Sequence, residues 1–128
     1  MGFVDIRTTY RGPTPRLPYR EIAEAILGQQ YELSLVISGD RLARRMNKAY
    51  RKKNYRPNVL SFPLSRKEGE IFLNAACATR EATRYQTTLK KRLALLYVHG
   101  CCHLKGLDHG RTMESLEQAI LKRFKFEN

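Results

Sequence analysis

Leu93-Ala94-Leu95-Leu96-Tyr97-Val98-His99-Gly100-Cys101-Cys102-His103-Leu104-Lys105-Gly106-Leu107-Asp108-His109 is the stretch on which the reading of this chain turns. From Leu89 to Leu104 the residues are apolar nearly all round, which predicts a helix buried on every side. Thr87 or Thr88 caps its start, and Gly106 supplies the left-handed conformation that ends it. The same stretch holds all 3 histidines of the chain. Positions four apart lie one turn above each other, so His99 and His103 aim at one point. The turn at Gly106 swings His109 back towards it. Three imidazole nitrogens form a face that zinc uses when its fourth position stays open.

Working outward, Thr112 to Phe124 reads as a last helix, with Met113, Leu116, Ile120 and Leu121 on one face. Upstream, Asn74 caps a short helix from Ala75 to about Tyr85. Glu70-Ile71-Phe72-Leu73 and Val59-Leu60-Ser61-Phe62-Pro63 form a hairpin across a five-residue turn, Ser65 to Gly69, and Pro63 pushes its strand to an edge. Leu33, Leu35 and Ile37 alternate around Val36 as a strand buried on both sides. Gly39-Asp40 then supplies an N-cap for a helix carrying Leu42, Met46, Ala49 and Tyr50. Phe3 to Arg7 is a first strand, and a helix runs from Pro18 to a stop near Gly28. The expected fold is α+β, a single domain over residues 1–128. A small mixed sheet of three to four strands is packed by about five helices.

The 24 Lys and Arg residues outweigh 12 Asp and Glu, leaving a net charge of +12. Such a balance favours a polyanionic partner, above all RNA or DNA. No apolar run approaches the roughly 20 residues a bilayer crossing needs, so no membrane partner is expected. Met1 to Tyr10 lacks a signal pattern, and a cytoplasmic location is expected. Cys77, Cys101 and Cys102, an odd count with two adjacent, read as free thiols.

The motifs resemble those of the YbeY family, bacterial endoribonucleases of ribosomal-RNA maturation. His99-Gly100, His103-Leu104, Gly106 and Asp108-His109 match its histidine signature. Asn47, Tyr50-Arg51, Lys53 and Asn58-Val59-Leu60-Ser61-Phe62-Pro63 match a second motif, and Gly69-Glu70-Ile71 a third. Together they run in family order from about Leu42 to His109. The chain departs from the pattern at Glu70, where the family has aspartate, and at Cys102 and Leu107. Arg56-Pro57 also replaces the usual Pro-Thr, and the loop from Ser65 to Gly69 is trimmed.

The resemblance implies a metal-dependent endoribonuclease, single-strand preferring, acting in ribosomal RNA processing and in ribosome maturation or quality control. One Zn2+ per chain, or another divalent metal, would be held by His99, His103 and His109, and no organic cofactor is implied. Arg51 and His103 are the catalytic candidates, with the Arg51 guanidinium placed to hold a phosphate. Asp108 and Glu70 are candidates for supporting the ligands from behind. Glu70 and Glu114 are also considered for proton transfer. Arg41, Arg44, Arg45, Lys48, Lys52, Lys53 and Arg56 are candidate RNA contacts, chiefly to phosphates. Ribosomal RNA and the ribosome or its assembly factors are the implied partners. Ser61 and Asn58 lie beside the expected groove and are expected to satisfy backbone groups, not to catalyse.

Two other readings use the same residues. A ribosome-associated RNA-binding protein with a structural metal would need no catalysis. Metzincin peptidases share the histidine spacing but carry glutamate after the first histidine as general base. Gly100 stands there instead. It has no proton-moving side chain, and serves either close approach to the metal or helix packing.

Overall fold

The computed structural model describes residues 2–127. Four strands, β1 (Phe3–Thr8), β2 (Glu32–Ser38), β3 (Val59–Ser65) and β4 (Glu68–Asn74), alternate with and precede five helices. These are α1 (Tyr19–Leu27), α2 (Asp40–Arg51), α3 (Ala75–Arg84), α4 (Leu89–Leu104) and α5 (Arg111–Arg123). The sheet order is β1-β2-β4-β3. β1, β2 and β4 run parallel and β3 pairs antiparallel with β4. The α+β expectation with a mixed sheet and five helices is met.

Strand alternation sorts the sheet into two apolar faces. Leu33, Leu35 and Ile37 of β2 join Ile71 and Leu73 of β4 in the main core, with residues from α1, α3, α4 and α5. Val36, Leu60 and Phe72 point the other way, against Leu42 and Met46 of α2. β2 is therefore buried on both sides, as its near-continuous apolar run predicts. α4 is the central element of the larger core: nine of its sixteen residues are buried. The Tyr97 hydroxyl donates to the Tyr19 carbonyl at 2.7 Å, tying α4 to α1.

Local chemistry explains the boundaries. Asn74 Oδ1 accepts from the Cys77 amide at 3.1 Å, and Thr88 Oγ1 from the Lys91 amide at 3.1 Å. Both are side-chain N-caps. Pro63 lies on an edge strand, where its missing N–H costs no ladder bond. Two details differ from expectation. The hairpin is tighter, because β3 extends to Ser65 and β4 begins at Glu68, leaving only Arg66 and Lys67 in the turn. Gly39 caps α2 without a side-chain bond, and Asp40 turns its carboxylate elsewhere. It takes two bonds from Arg80, at 2.7 and 2.8 Å, and one from Asn74 Nδ2 at 3.0 Å.

Candidate active site

α4 ends where the core ends, and there its histidines reach the surface. His99 and His103 are half-buried, while His109, carried beyond the Gly106 turn, is exposed. Gly106 has φ +98°, a conformation that glycine adopts without strain. Its amide bonds the His103 carbonyl at 2.9 Å and the Leu107 amide bonds the Cys102 carbonyl at 3.1 Å, closing the helix in a tight reversal. One ligand atom from each histidine falls within a group no wider than 4.8 Å.

The set fits a divalent cation. Nε2 of His103 lies 3.1 Å from Nε2 of His99. Tetrahedral zinc–nitrogen bonds would separate two such atoms by about 3.3 Å. Nδ1 of His99 faces Glu117 Oε1 of α5 at 3.4 Å, which directs Nε2 of that ring to the cluster. The Leu107 backbone lies beside the His103 ring. Burial first, then the charges of His99 and His109, hold the His103 imidazole below its usual range. The neutral ring that results is the ligating form. Cys101 and Cys102 are buried free thiols outside the cluster. Burial pushes the Cys102 thiol up to about 11.

A cavity of about 570 Å³ opens on the cluster. Arg51 and Tyr55, from the end of α2 and the segment after it, line it together with the three histidines and with β3 residues such as Val59, Ser61 and Pro63. Arg51 ends α2, where Asn47 Oδ1 at 3.4 Å and the Tyr55 hydroxyl at 3.3 Å accept from its Nη1. Asn47 is fully buried, and its Nδ2 also donates to the Tyr55 carbonyl at 3.2 Å. One buried amide thus holds both the arginine and the segment after it. In the sequence Asn47 stands out only as a motif residue, because its hold on Arg51 and on the Tyr55 carbonyl depends on the fold.

The remaining candidates divide clearly. Gly100 is a packing glycine: a Cβ there would meet Ser61 Oγ at 3.0 Å, with Ile71 and Val59 at 3.2 Å. Ser61 Oγ donates to the Gly100 carbonyl at 3.0 Å, and Asn58 Nδ2 donates to Glu81 at 3.2 Å. Ser61 thus satisfies a backbone carbonyl, as expected, whereas the Asn58 side chain bonds a carboxylate instead of backbone. Glu70 is not brought to the histidines. It pairs across the sheet with Phe62, on the α2 face, and accepts from Ser34 Oγ at 3.3 Å. Strand alternation puts Ile71, not Glu70, against α4. Asp108 is exposed and makes no hydrogen bond to the ligands among the described residues, acting on His103 only through its charge. Glu114 is exposed on α5 and outside the cavity. The residues missed from sequence are Glu117, the carboxylate behind His99, and Tyr55, whose hydroxyl accepts from Arg51.

Arg41, Arg44, Arg45, Lys48 and Arg56 line a separate hollow of about 510 Å³ along α2. Arg56 pairs with Asp40 at 3.5 Å and Arg44 Nε donates to Asn54 at 3.0 Å. Lys52 and Lys53 are exposed just beyond the helix. The segment after Arg51 separates this hollow from the histidine cavity, with Tyr55 facing one and Arg56 the other.

Comparison with known proteins agrees with this geometry. The chain is 37% identical over 115 residues to the Endoribonuclease YbeY of Geobacter metallireducens, covering 80% of this chain and 75% of that one. It is 42% identical over 100 residues to that of Bordetella petrii, covering 70% and 64%. A Thermotoga maritima protein solved in solution shares the fold, with TM-score 0.70, 20% identity, and 95% and 89% of the two chains covered. The family model described as Endoribonuclease YbeY matches residues 17–125, a span that contains α1 to α5, the arginine and all three histidines. The chain belongs to the YbeY endoribonuclease family.

Proposed function

We propose that this chain hydrolyses RNA as a zinc-dependent endoribonuclease, cutting single-stranded segments of ribosomal RNA during its processing and in ribosome maturation or quality control. The observation that carries the reading is a three-histidine cluster facing an arginine across one open cavity. Its relatives are named as endoribonucleases.

His99, His103 and His109 would hold the metal, which when bound supplies a Lewis acid for a phosphoryl oxygen and acidifies water. Arg51 is placed by Asn47 and Tyr55 to grip the scissile phosphate and to offset charge that develops on it. Glu117 keeps the His99 imidazole turned to the metal. The basic hollow along α2, with Lys52 and Lys53, would carry the RNA backbone by its phosphates. Asp108 adds negative charge beside His103. Glu70 has no part in this reading. The ribosome or its assembly factors would be the setting, in the cytoplasm. No helix is long and apolar enough to cross a membrane among the described residues.

A structural zinc is closed by four protein ligands, whereas this cluster offers three histidines and opens into a cavity. The peptidase alternative lacks its base, because Gly100 is packed against β3 and β4. The test is cleavage of structured ribosomal RNA by the wild type, His103→Ala and Arg51→Glu. Cleavage by the wild type alone is expected. Equal cleavage by all three would overturn the assignment, and RNA binding with no cleavage by any would favour a binding module. Elemental analysis of protein purified without a histidine tag should return zinc at about one per chain, as a three-histidine site requires.

A further inference from the structure

Beyond the histidine cavity, the side of α4 carries a second and larger hollow. It encloses about 620 Å³ between the start of α4 and α5, and Tyr85, Lys91, Arg92, Leu95 and Lys122 are among its walls. Tyr85 is 56% exposed. The Arg92 guanidinium covers one side of its ring, with Cζ 4.8 Å from the centroid. Arg92 is itself held by Glu81, Nε to Oε1 at 2.9 Å, and Glu81 also accepts from Asn58. An exposed aromatic ring is thereby fixed by a chain of contacts that ends on the wall of the histidine cavity.

A third hollow lies between the two. Smaller, at about 230 Å³, it shares Arg92 and Leu95 with the large hollow, and Asn58 and His99 with the histidine cavity. Lys91 precedes His99 by two helical turns, about 12 Å along the axis, which spans about three or four nucleotides at stacked-strand rise. Charge in this groove suits a polyanion. Lys91 and Lys122 are in no ion pair among the described residues, whereas Glu81 and Glu117 already face Arg92 and His99. Glu127 is the remaining acid at the far end.

We propose that this groove is a subsite for single-stranded RNA beside the scissile phosphate: one base stacks on Tyr85 and the flanking phosphates meet Lys91 and Lys122. The inference rests on the endoribonuclease reading and adds to it the direction in which the strand leaves the metal. A free aromatic face selects unpaired bases, because a base inside a duplex has no face to offer.

The test compares the zinc-loaded full chain on single-stranded RNAs of about two nucleotides, too short to reach from the metal to Lys91, and of about twelve. Tyr85→Ala, and Lys91→Glu with Lys122→Glu, should each lower kcat/KM on the longer RNA about ten-fold, mainly through KM, and leave the shorter within about two-fold. Tyr85→Phe should retain wild-type behaviour. Removing the two lysines should make the salt dependence of binding shallower by about 1.4 in log–log slope. A charge-matched control, Arg7→Glu with Arg16→Glu, lies on exposed positions elsewhere and should leave the length preference intact.

An unchanged length preference in the groove variants overturns the proposal. So does an equal fall in the control, or an equal fall on both RNAs. If the wild type cuts neither RNA, the endoribonuclease reading fails, and binding of the uncut longer RNA then decides the groove. Tyr85-dependent binding would uphold it, and Tyr85-independent binding would overturn it.

Discussion

Glu117 of α5 stands behind His99 of α4, with Oε1 3.4 Å from Nδ1, and so decides which nitrogen of that ring faces the cluster. Both side chains are largely shielded, at 14% and 24% exposure, so solvent does little to screen the contact. A carboxylate in this place orients the imidazole and raises its basicity towards a metal. Glu117→Gln is expected to weaken zinc binding by about 10- to 100-fold with the melting temperature nearly unchanged. Competition titration against a chromophoric chelator measures it, and unchanged affinity would show that the contact carries no weight.

Metal removal should stop cleavage without unfolding the chain. The ligands lie outside the buried core cluster, at the surface end of α4. Chelation should therefore leave far-ultraviolet circular dichroism unchanged and remove only the stabilisation that binding adds by mass action, about 3 kcal/mol at a hundred-fold excess over Kd. Loss of helical signal on chelation would mean that the metal is structural.

Gly100→Glu places a glutamate where peptidases of the same histidine spacing carry their base. Here it should destabilise the fold by about 3 kcal/mol or more, because a carboxylate would be driven against Ile71 and Val59 with no partner. Urea denaturation gives the number, and no gain of peptide hydrolysis is expected. A stable, well-folded variant would contradict the packing described for α4.

Much of this was legible in the chain and some was not, for definable reasons. α4 announces itself because apolar residues all round leave only a central position for it. The histidines announce their meeting because helix pitch and one glycine control it locally. Glu117 could not be read, since its contact depends on how α5 crosses α4, and no pattern within either helix encodes that. Glu70 illustrates a parity problem. Both faces of β4 are covered, so Ile71, Phe72 and Leu73 are all apolar and alternation does not say which face meets the histidines. The hairpin looked looser than it is because Arg66 and Lys67 serve as its turn without the Gly or Asn that usually marks one.

Acid should act on the fold through Asp40. Its hydrogen bonds with Arg80, then with Asn74, lower its pKa from 3.8 to about 2 against an opposing effect of burial. A depressed carboxylate contributes stability that is present above pH 3.8 and lost as pH falls through about 2. Because Arg80 is 49% exposed, the contribution is discounted to about 1 kcal/mol. Asp40→Asn should lower stability by that amount at pH 7 and flatten the acid limb between pH 4 and 2, as urea midpoints across that range will record. An acid limb identical to wild type would remove Asp40 as its source.

The three ligands do not share one mechanical fate. His99 and His103 belong to a helix whose amides open to solvent only when the core itself opens. His109 hangs from a glycine reversal at the surface, outside that helix. The cluster is thus a fixed jaw with one hinged leaf. An ion held there would be captured and released through the few residues from Gly106 to Gly110, while the helix-borne pair keeps its shape.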